Sequence, residues 1–233
     1  YFQDDNSILK NIWQEEESAR YWFGADGKAA TSFTDIGSDT YYFDSDHKMV
    51  SMGWQNFGGR RFYADPAKGG RLSTGWIQVG GTWYWTDTQH VVRLGWMNID
   101  GRWYWLESPS GAMATGWKNI DGTWYFLHNS GAMATGWVNL SGTWYYLARS
   151  GAMVTGRQVI DSRPYMFATS GAWIDPSAAM NAKAQGIASA TPWLILVDTA
   201  HTRVNVYYGS QGHWALQHSW LCAPGAPSTP TVK

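Results

Sequence analysis

The chain has 233 residues, a length that fits one large domain or two smaller ones. Its 17 Lys and Arg against 18 Asp and Glu exclude a nucleic-acid or anionic-membrane binder that works through a basic field, and no apolar run approaches the roughly 20 residues of a membrane-spanning helix. A single cysteine, Cys222, excludes an internal disulfide and a cysteine-zinc cluster, which leaves 17 Trp and 26 Gly as the anomaly to explain.

In chain order, Tyr1-Phe2-Gln3 matches what a protease-cleaved expression tag leaves behind, which places the native N-terminus elsewhere. Residues 4–19, an N-terminal segment, suit either a short helix or a degenerate repeat, with Glu15, Glu16 and Glu17 as a solvated face. From about residue 20 to 174 the sequence repeats itself. Gly-Trp pairs end at Trp54, Trp76, Trp96, Trp117 and Trp137, in steps of 22, 20, 21 and 20 residues. Each is followed by a turn dipeptide and then an aromatic triplet: 61–63, 83–85, 103–105, 124–126 and 144–146. Residues 21–23 and 41–43 keep the triplet alone, and Arg157 stands where the next tryptophan is due, a decay that suits the ends of a solenoid.

Each unit reads as a β-hairpin. Asp100-Gly101, Asp121-Gly122, Ser141-Gly142 and Gly80-Gly81 fit a two-residue type I′ turn, whose central residues both need positive φ. Such a turn sets Ile120 opposite Thr123, Asn119 opposite Trp124, Lys118 opposite Tyr125 and Trp117 opposite Phe126. Trp117, Asn119, Trp124 and Phe126 then share one face, with Lys118, Ile120, Thr123 and Tyr125 on the other. A lone hairpin is barely stable in water. The pattern therefore predicts an all-β fold, a stacked hairpin solenoid over 20–174, followed by a partial β domain.

The tryptophans have two readings. They are core, large rings burying area between hairpins; or two tryptophans of one hairpin and a tyrosine of the next wall a box for a quaternary ammonium, which makes no hydrogen bonds but is attracted to π faces. The derived faces give four such sets: Trp76, Trp83 and Tyr104; Trp96, Trp103 and Tyr125; Trp117, Trp124 and Tyr145; and Trp137 with Trp144, completed by Tyr165 of the degenerate repeat. Aromatic platforms also stack on sugar rings, so geometry leaves choline and glycan both open.

At these residues the sequence resembles the choline-binding, or cell-wall-binding, repeat family of Gram-positive surface proteins, over roughly 41–174. The resemblance implies secretion and noncovalent attachment to the wall through choline on teichoic acids, and the family often forms homodimers through terminal hairpins. Related repeats of glucan-binding proteins and clostridial toxins bind saccharides instead. The pattern departs at Phe62, whose triplet lacks its tryptophan, and at Arg157, which predicts fewer working sites than repeats.

Residues 175–191 are alanine-rich and read as a linker or short helix. From 192 to 233 a strand, a turn, a second strand and then another strand running into a Pro/Gly-rich loop begin a second domain too short to hold its own core. Residues 178–233, with Met180 to Gln185 and a Gly-x-x-x-Thr-Pro-Thr loop at Gly225, Thr229, Pro230 and Thr231, resemble the opening of an L,D-transpeptidase domain. The resemblance implies that the whole protein cross-links peptidoglycan stem peptides through a cysteine acyl-enzyme. The family's Ser-His-Gly-Cys nucleophile lies downstream, Cys222 is not that residue, and the chain to Lys233 is expected to be inactive. His213 and His218 match no catalytic pairing, and the six histidines have no metal-ligand spacing, so no cofactor is expected. The alternative is an adhesive or toxin-like surface protein with saccharide-binding repeats and no enzymatic activity.

Overall fold

The structure, a computed structural model, describes residues 8–199 and 203–221. Tyr1 to Gln3, Cys222, and the Gly225, Thr229, Pro230 and Thr231 loop lie outside the described residues. Strand makes up 52% and helix 6%, and the strands are repeated hairpins, the all-β class expected from the sequence. Two compact units are present, one of residues up to 116 with 129–132, the other of 117–128 with 133 onward.

The first unit holds five hairpins: β1 (Ile12–Glu16) with β2 (Ala19–Phe23), β3 (Ser32–Ile36) with β4 (Asp39–Phe43), β5 (Gly53–Phe57) with β6 (Arg60–Asp65) and a short β7 (Arg71–Leu72), β8 (Gly75–Val79) with β9 (Thr82–Thr86), and β10 (Gly95–Ile99) with β11 (Arg102–Leu106). The second holds β12 (Gly116–Ile120) with β13 (Thr123–Leu127), β14 (Gly136–Leu140) with β15 (Thr143–Leu147), and β16 (Gly156–Ile160) with β17 (Arg163–Phe167). After them come helix α1 (Pro176–Gln185) and an antiparallel sheet β18 (Trp193–Asp198), β19 (Arg203–Tyr208), β20 (Ala215–Leu221). Residues 12–23 form a complete hairpin, so the paired strands straddle the boundary drawn at residue 20 from the sequence. Its turn at Glu17, φ 51°, uses no glycine.

The turns explain the register. Asp121 and Gly122 have φ of 50° and 81°, Ser141 and Gly142 of 51° and 88°, as a type I′ turn requires. The asparagine before each turn adds a brace: Asn119 Oδ1 accepts from the Gly122 amide at 3.1 Å, and Asn139 Oδ1 from Gly142 at 3.0 Å. In β14–β15 this gives Leu140 opposite Thr143, Asn139 opposite Trp144 and Trp137 opposite Tyr146.

Between hairpins, each connector bonds to two repeats at once. In the second unit the Val154 amide donates to Tyr146 of its own hairpin at 3.0 Å, while the neighbouring Met153 amide donates to Trp124, one hairpin back, at 2.8 Å. The first unit repeats this with Ala114 to Trp105 and Met113 to Trp83. The side chains of these connectors interlock as well. A Cβ on Gly151 would overlap the sulfur of Met133, and Gly131 and Gly171 stand in the same relation to Met113 and Met153. The Ser-Gly-Ala-Met motif is therefore a ratchet: its glycine receives the methionine of the repeat before. Aromatic and aliphatic side chains fill what remains, with Leu106, Leu127 and Leu147 fully buried at the equivalent strand ends.

The residues after 192, expected to be too few for a core of their own, share one with helix α1. Asp175 caps α1 through the Ser177 amide at 2.9 Å, with Pro176 at the first helical position. Ala184, Tyr207 and Trp214 are buried together against Leu194 and Leu196. Gln185 bridges Trp214 twice, accepting from its amide at 3.0 Å and donating to its carbonyl at 2.9 Å.

Gly151→Ala should cost about 1–3 kcal/mol, because φ is +84° and the added methyl meets Met133. Thermal unfolding of G151A, M133A and the double variant checks this. The double variant should be less damaged than the sum of the two, because M133A removes the obstacle.

Candidate aromatic box sites

The hairpin register sends the two tryptophans of one repeat to the same face, where their rings meet as perpendicular walls. Trp76 and Trp83 have centroids 6.3 Å apart at 90°, Trp96 and Trp103 6.3 Å at 84°, Trp117 and Trp124 6.4 Å at 84°, and Trp137 and Trp144 6.2 Å at 83°. The tyrosine of the following hairpin closes the other side of the first tryptophan. Tyr104 lies 4.9 Å from Trp76, Tyr145 4.9 Å from Trp117 and Tyr165 4.9 Å from Trp137, at 65–67°. Tyr125, the expected partner of Trp96 and Trp103, sits on β13, in the second unit. The degenerate repeat thus supplies Tyr165 in the same geometry as its regular counterparts, although Arg157 and Pro164 replace both of its own tryptophans.

Behind each first tryptophan stands its cross-strand partner, which fixes the ring. Trp76 meets Trp85 at 5.3 Å, Trp96 meets Trp105 at 5.4 Å, Trp117 meets Phe126 at 5.2 Å and Trp137 meets Tyr146 at 5.3 Å. The two tryptophans of a pair are unequal. The first is half-buried, and Trp117 packs on the Ala134, Val138 and Leu147 cluster. The second stays open to solvent: Trp83 is 40% exposed, Trp103 45%, Trp124 44% and Trp144 42%. A large apolar ring left in water at the same register position in four hairpins is not core. Exposed apolar rings grouped in this way mark a candidate binding surface.

A fourth wall comes from the connector. Around Trp76, Trp83 and Tyr104 the space is completed by Met113, Asn129 and Ser130, enclosing about 240 Å³. That is below the roughly 300–1,000 Å³ typical of pockets for drug-sized ligands, and it fits a compact head group. Its lining carries no charged side chain. In the fourth box the methionine position is taken by Trp173, whose ring lies 6.2 Å from Trp137 and 6.4 Å from Tyr165. Neither Met113 nor Trp173 follows from tryptophan spacing. Reading Ser170-Gly171-Ala172-Trp173 against Ser150-Gly151-Ala152-Met153 is the signal that reveals the latter.

Comparison with known proteins bears on this arrangement directly. The profile of the choline-binding repeat matches residues 92–136, 114–157 and 134–174, and that of a cell wall binding repeat matches 74–89. Among solved structures, choline-binding protein F of Streptococcus pneumoniae is 32% identical, with a TM-score of 0.66 over 75% of this chain and 60% of that one. The same protein in the presence of a peptidoglycan analogue, a tetrasaccharide-pentapeptide, is 34% identical, with a TM-score of 0.65 over 74% and 60%. The choline-binding domain of CbpL, also from Streptococcus pneumoniae, is 27% identical, with a TM-score of 0.54 over 75% and 91%. The chain spans about 60% of the length of the choline-binding protein F structures it matches. No curated protein sequence matches it.

The two tryptophans of a box should separate by mutation. Trp124→Ala removes an exposed wall and is expected to abolish binding at one site while losing only the ring pair, about 0.5–1.5 kcal/mol. Trp117→Ala should lose the same site and also destabilise by about 3–5 kcal/mol. Thermal unfolding with ligand titration on both variants reads the difference, and equal stability losses would contradict it.

Proposed function

We propose that the hairpin repeats bind choline presented on cell-wall polymers and so hold the protein on the outside of the wall. The observation that carries this reading is the solvent-open corner of two perpendicular tryptophans, closed by a tyrosine and a methionine around about 240 Å³ with no charged lining. A trimethylammonium group can touch all of these walls at once, and each cation–π contact contributes about 0.5–2 kcal/mol. The residues assigned to binding are Trp76, Trp83 and Tyr104; Trp96 with Trp103; Trp117, Trp124 and Tyr145; and Trp137, Trp144 and Tyr165, with Met113 and Trp173 added from the structure. The repeat matches support wall association, and a peptidoglycan analogue present with choline-binding protein F supports a wall polymer as the partner.

Beyond the repeats, we propose that the C-terminal sheet opens an L,D-transpeptidase domain, so that the repeats deliver a peptidoglycan cross-linking enzyme to its substrate. One face of the sheet packs on α1, but Trp193, Ile195, Val197, Tyr208 and Trp220 on the other are 49–62% exposed. A row of five large apolar side chains in water supports a further layer of the same domain covering them. Coding sequence downstream of Lys233 decides this: a Ser-His-Gly-Cys segment within a domain's length is expected, and its absence contradicts the assignment.

Isothermal titration with choline, its uncharged isostere 3,3-dimethylbutanol, and N-acetylglucosamine oligomers tests the ligand. Choline should bind saturably and the isostere at least about tenfold more weakly, since they differ only in the charge that the π faces attract. Saturable glycan binding with no choline heat would overturn the reading in favour of saccharide-binding repeats.

A further inference from the structure

The register assigns every hairpin a residue at the position of the exposed tryptophan. Trp83 pairs with Gln78, Trp103 with Asn98 and Trp144 with Asn139. In β5–β6 the equivalent residue, opposite Asn56, is Arg61, and in β1–β2, opposite Glu15, it is Arg20. The departure read from the sequence at Phe62 therefore belongs to Arg61, one residue earlier. Phe62 takes the place of Tyr84 and Tyr104.

Both boxes keep their first and third walls. Trp54 keeps the first wall and Tyr84, 4.6 Å away at 63°, keeps the third. Trp13 and Tyr41 do the same at 5.1 Å and 75°. Into these corners the arginines fold back. The Arg61 guanidinium carbon lies 4.0 Å from the Trp54 centroid and 5.9 Å from that of Tyr84. That of Arg20 lies 4.6 Å from Trp13. Both fall within the about 6 Å over which a cation is attracted to a ring. The charge is anchored from behind as well. Arg61 donates to the carbonyl of Ser110, the connector serine that corresponds to Ser130 in the lining of the Trp76 box. Arg20 Nε is 2.9 Å from the Glu15 carboxylate. By contrast β3–β4 has Thr40 at this position, opposite Asp35. There Phe33, Tyr42 and Phe62 close on one another as an apolar cluster without a cation.

We infer that the Trp54–Tyr84 and Trp13–Tyr41 boxes carry their own cation, and that Arg61 and Arg20 occupy the place which an external quaternary ammonium takes where that position is tryptophan. The inference rests on the proposed reading of the open boxes and deepens it. A single residue position decides whether a box is a ligand site or a permanent internal lock.

The test compares wild type, R61W, R61A, W54A and the R61A/W54A double variant. Choline titration of R61W should find one more site than wild type, because the exposed wall is restored and the internal cation removed. R61A should melt lower than wild type, and tetramethylammonium should raise its Tm by more than it raises that of wild type, by filling the vacated corner. A folded R61W with wild-type stoichiometry, or equal Tm rises for R61A and wild type, overturns the inference. A wild-type chain that takes no choline contradicts the proposed function. The Arg61–Trp54 pair is then decided by unfolding alone: a double variant less damaged than the sum of R61A and W54A retains the internal cation, and strict additivity removes it.

Discussion

A two-stranded hairpin of five-residue strands cannot bury either of its faces, and the rest of the molecule follows from that constraint. Each repeat has to borrow a surface from its neighbours. It borrows in three ways: the tyrosine of the next hairpin leans on its tryptophan, the connector amide reaches back to its carbonyl, and a methionine drops onto the glycine of the following connector. None of the three operates within one repeat, which is why the motif is repeated at a nearly constant length. Where the glycine is missing in earlier connectors, His47 and His90 adopt the same positive φ, 64° and 62°, and turn their rings toward the carbonyls of Ala30 and Ser73. The contact changes chemistry but keeps its job.

The boxes arise from the same borrowing. Stacking hairpins brings a half-buried tryptophan, an exposed tryptophan, a tyrosine and a methionine to one corner, and the corner closes only if something cationic or apolar fills it. Three fillings are present in the first unit: internal arginines, a phenylalanine-tyrosine cluster, and a corner of tryptophans left open. Two of them fill the corner from within the chain and the third leaves it open, and the difference lies at one register position.

Much of this was legible in the sequence because the turn residues are so restrictive. Asp121-Gly122 admits one turn type, that turn admits one register, and the register puts Trp117 and Trp124 on one face without further information. What the sequence hid were features set by contacts about thirty residues away. Met113 joins the box of Trp76 and Trp83 because its amide is tied to Trp83, a pairing that periodicity does not show. Arg61 was obscured because the triplets were aligned on aromatic character, whereas counting outward from the Gly58-Gly59 turn places it opposite Asn56. The hairpin at residues 12–23 has no glycine in its turn, so the helix and degenerate-repeat readings both stayed open, with only the aromatic triplet at 21–23 favouring the repeat.

The central claim is that open tryptophan corners take an external cation and arginine-filled corners do not. A crystal structure of the chain grown with choline tests it most directly. The account predicts trimethylammonium density between Trp76, Trp83 and Tyr104, between Trp117, Trp124 and Tyr145, and between Trp137, Trp144, Tyr165 and Trp173, with the Arg61 guanidinium still over Trp54. Density for choline at Trp54 with Arg61 displaced, or open corners empty while choline sits elsewhere, would contradict it.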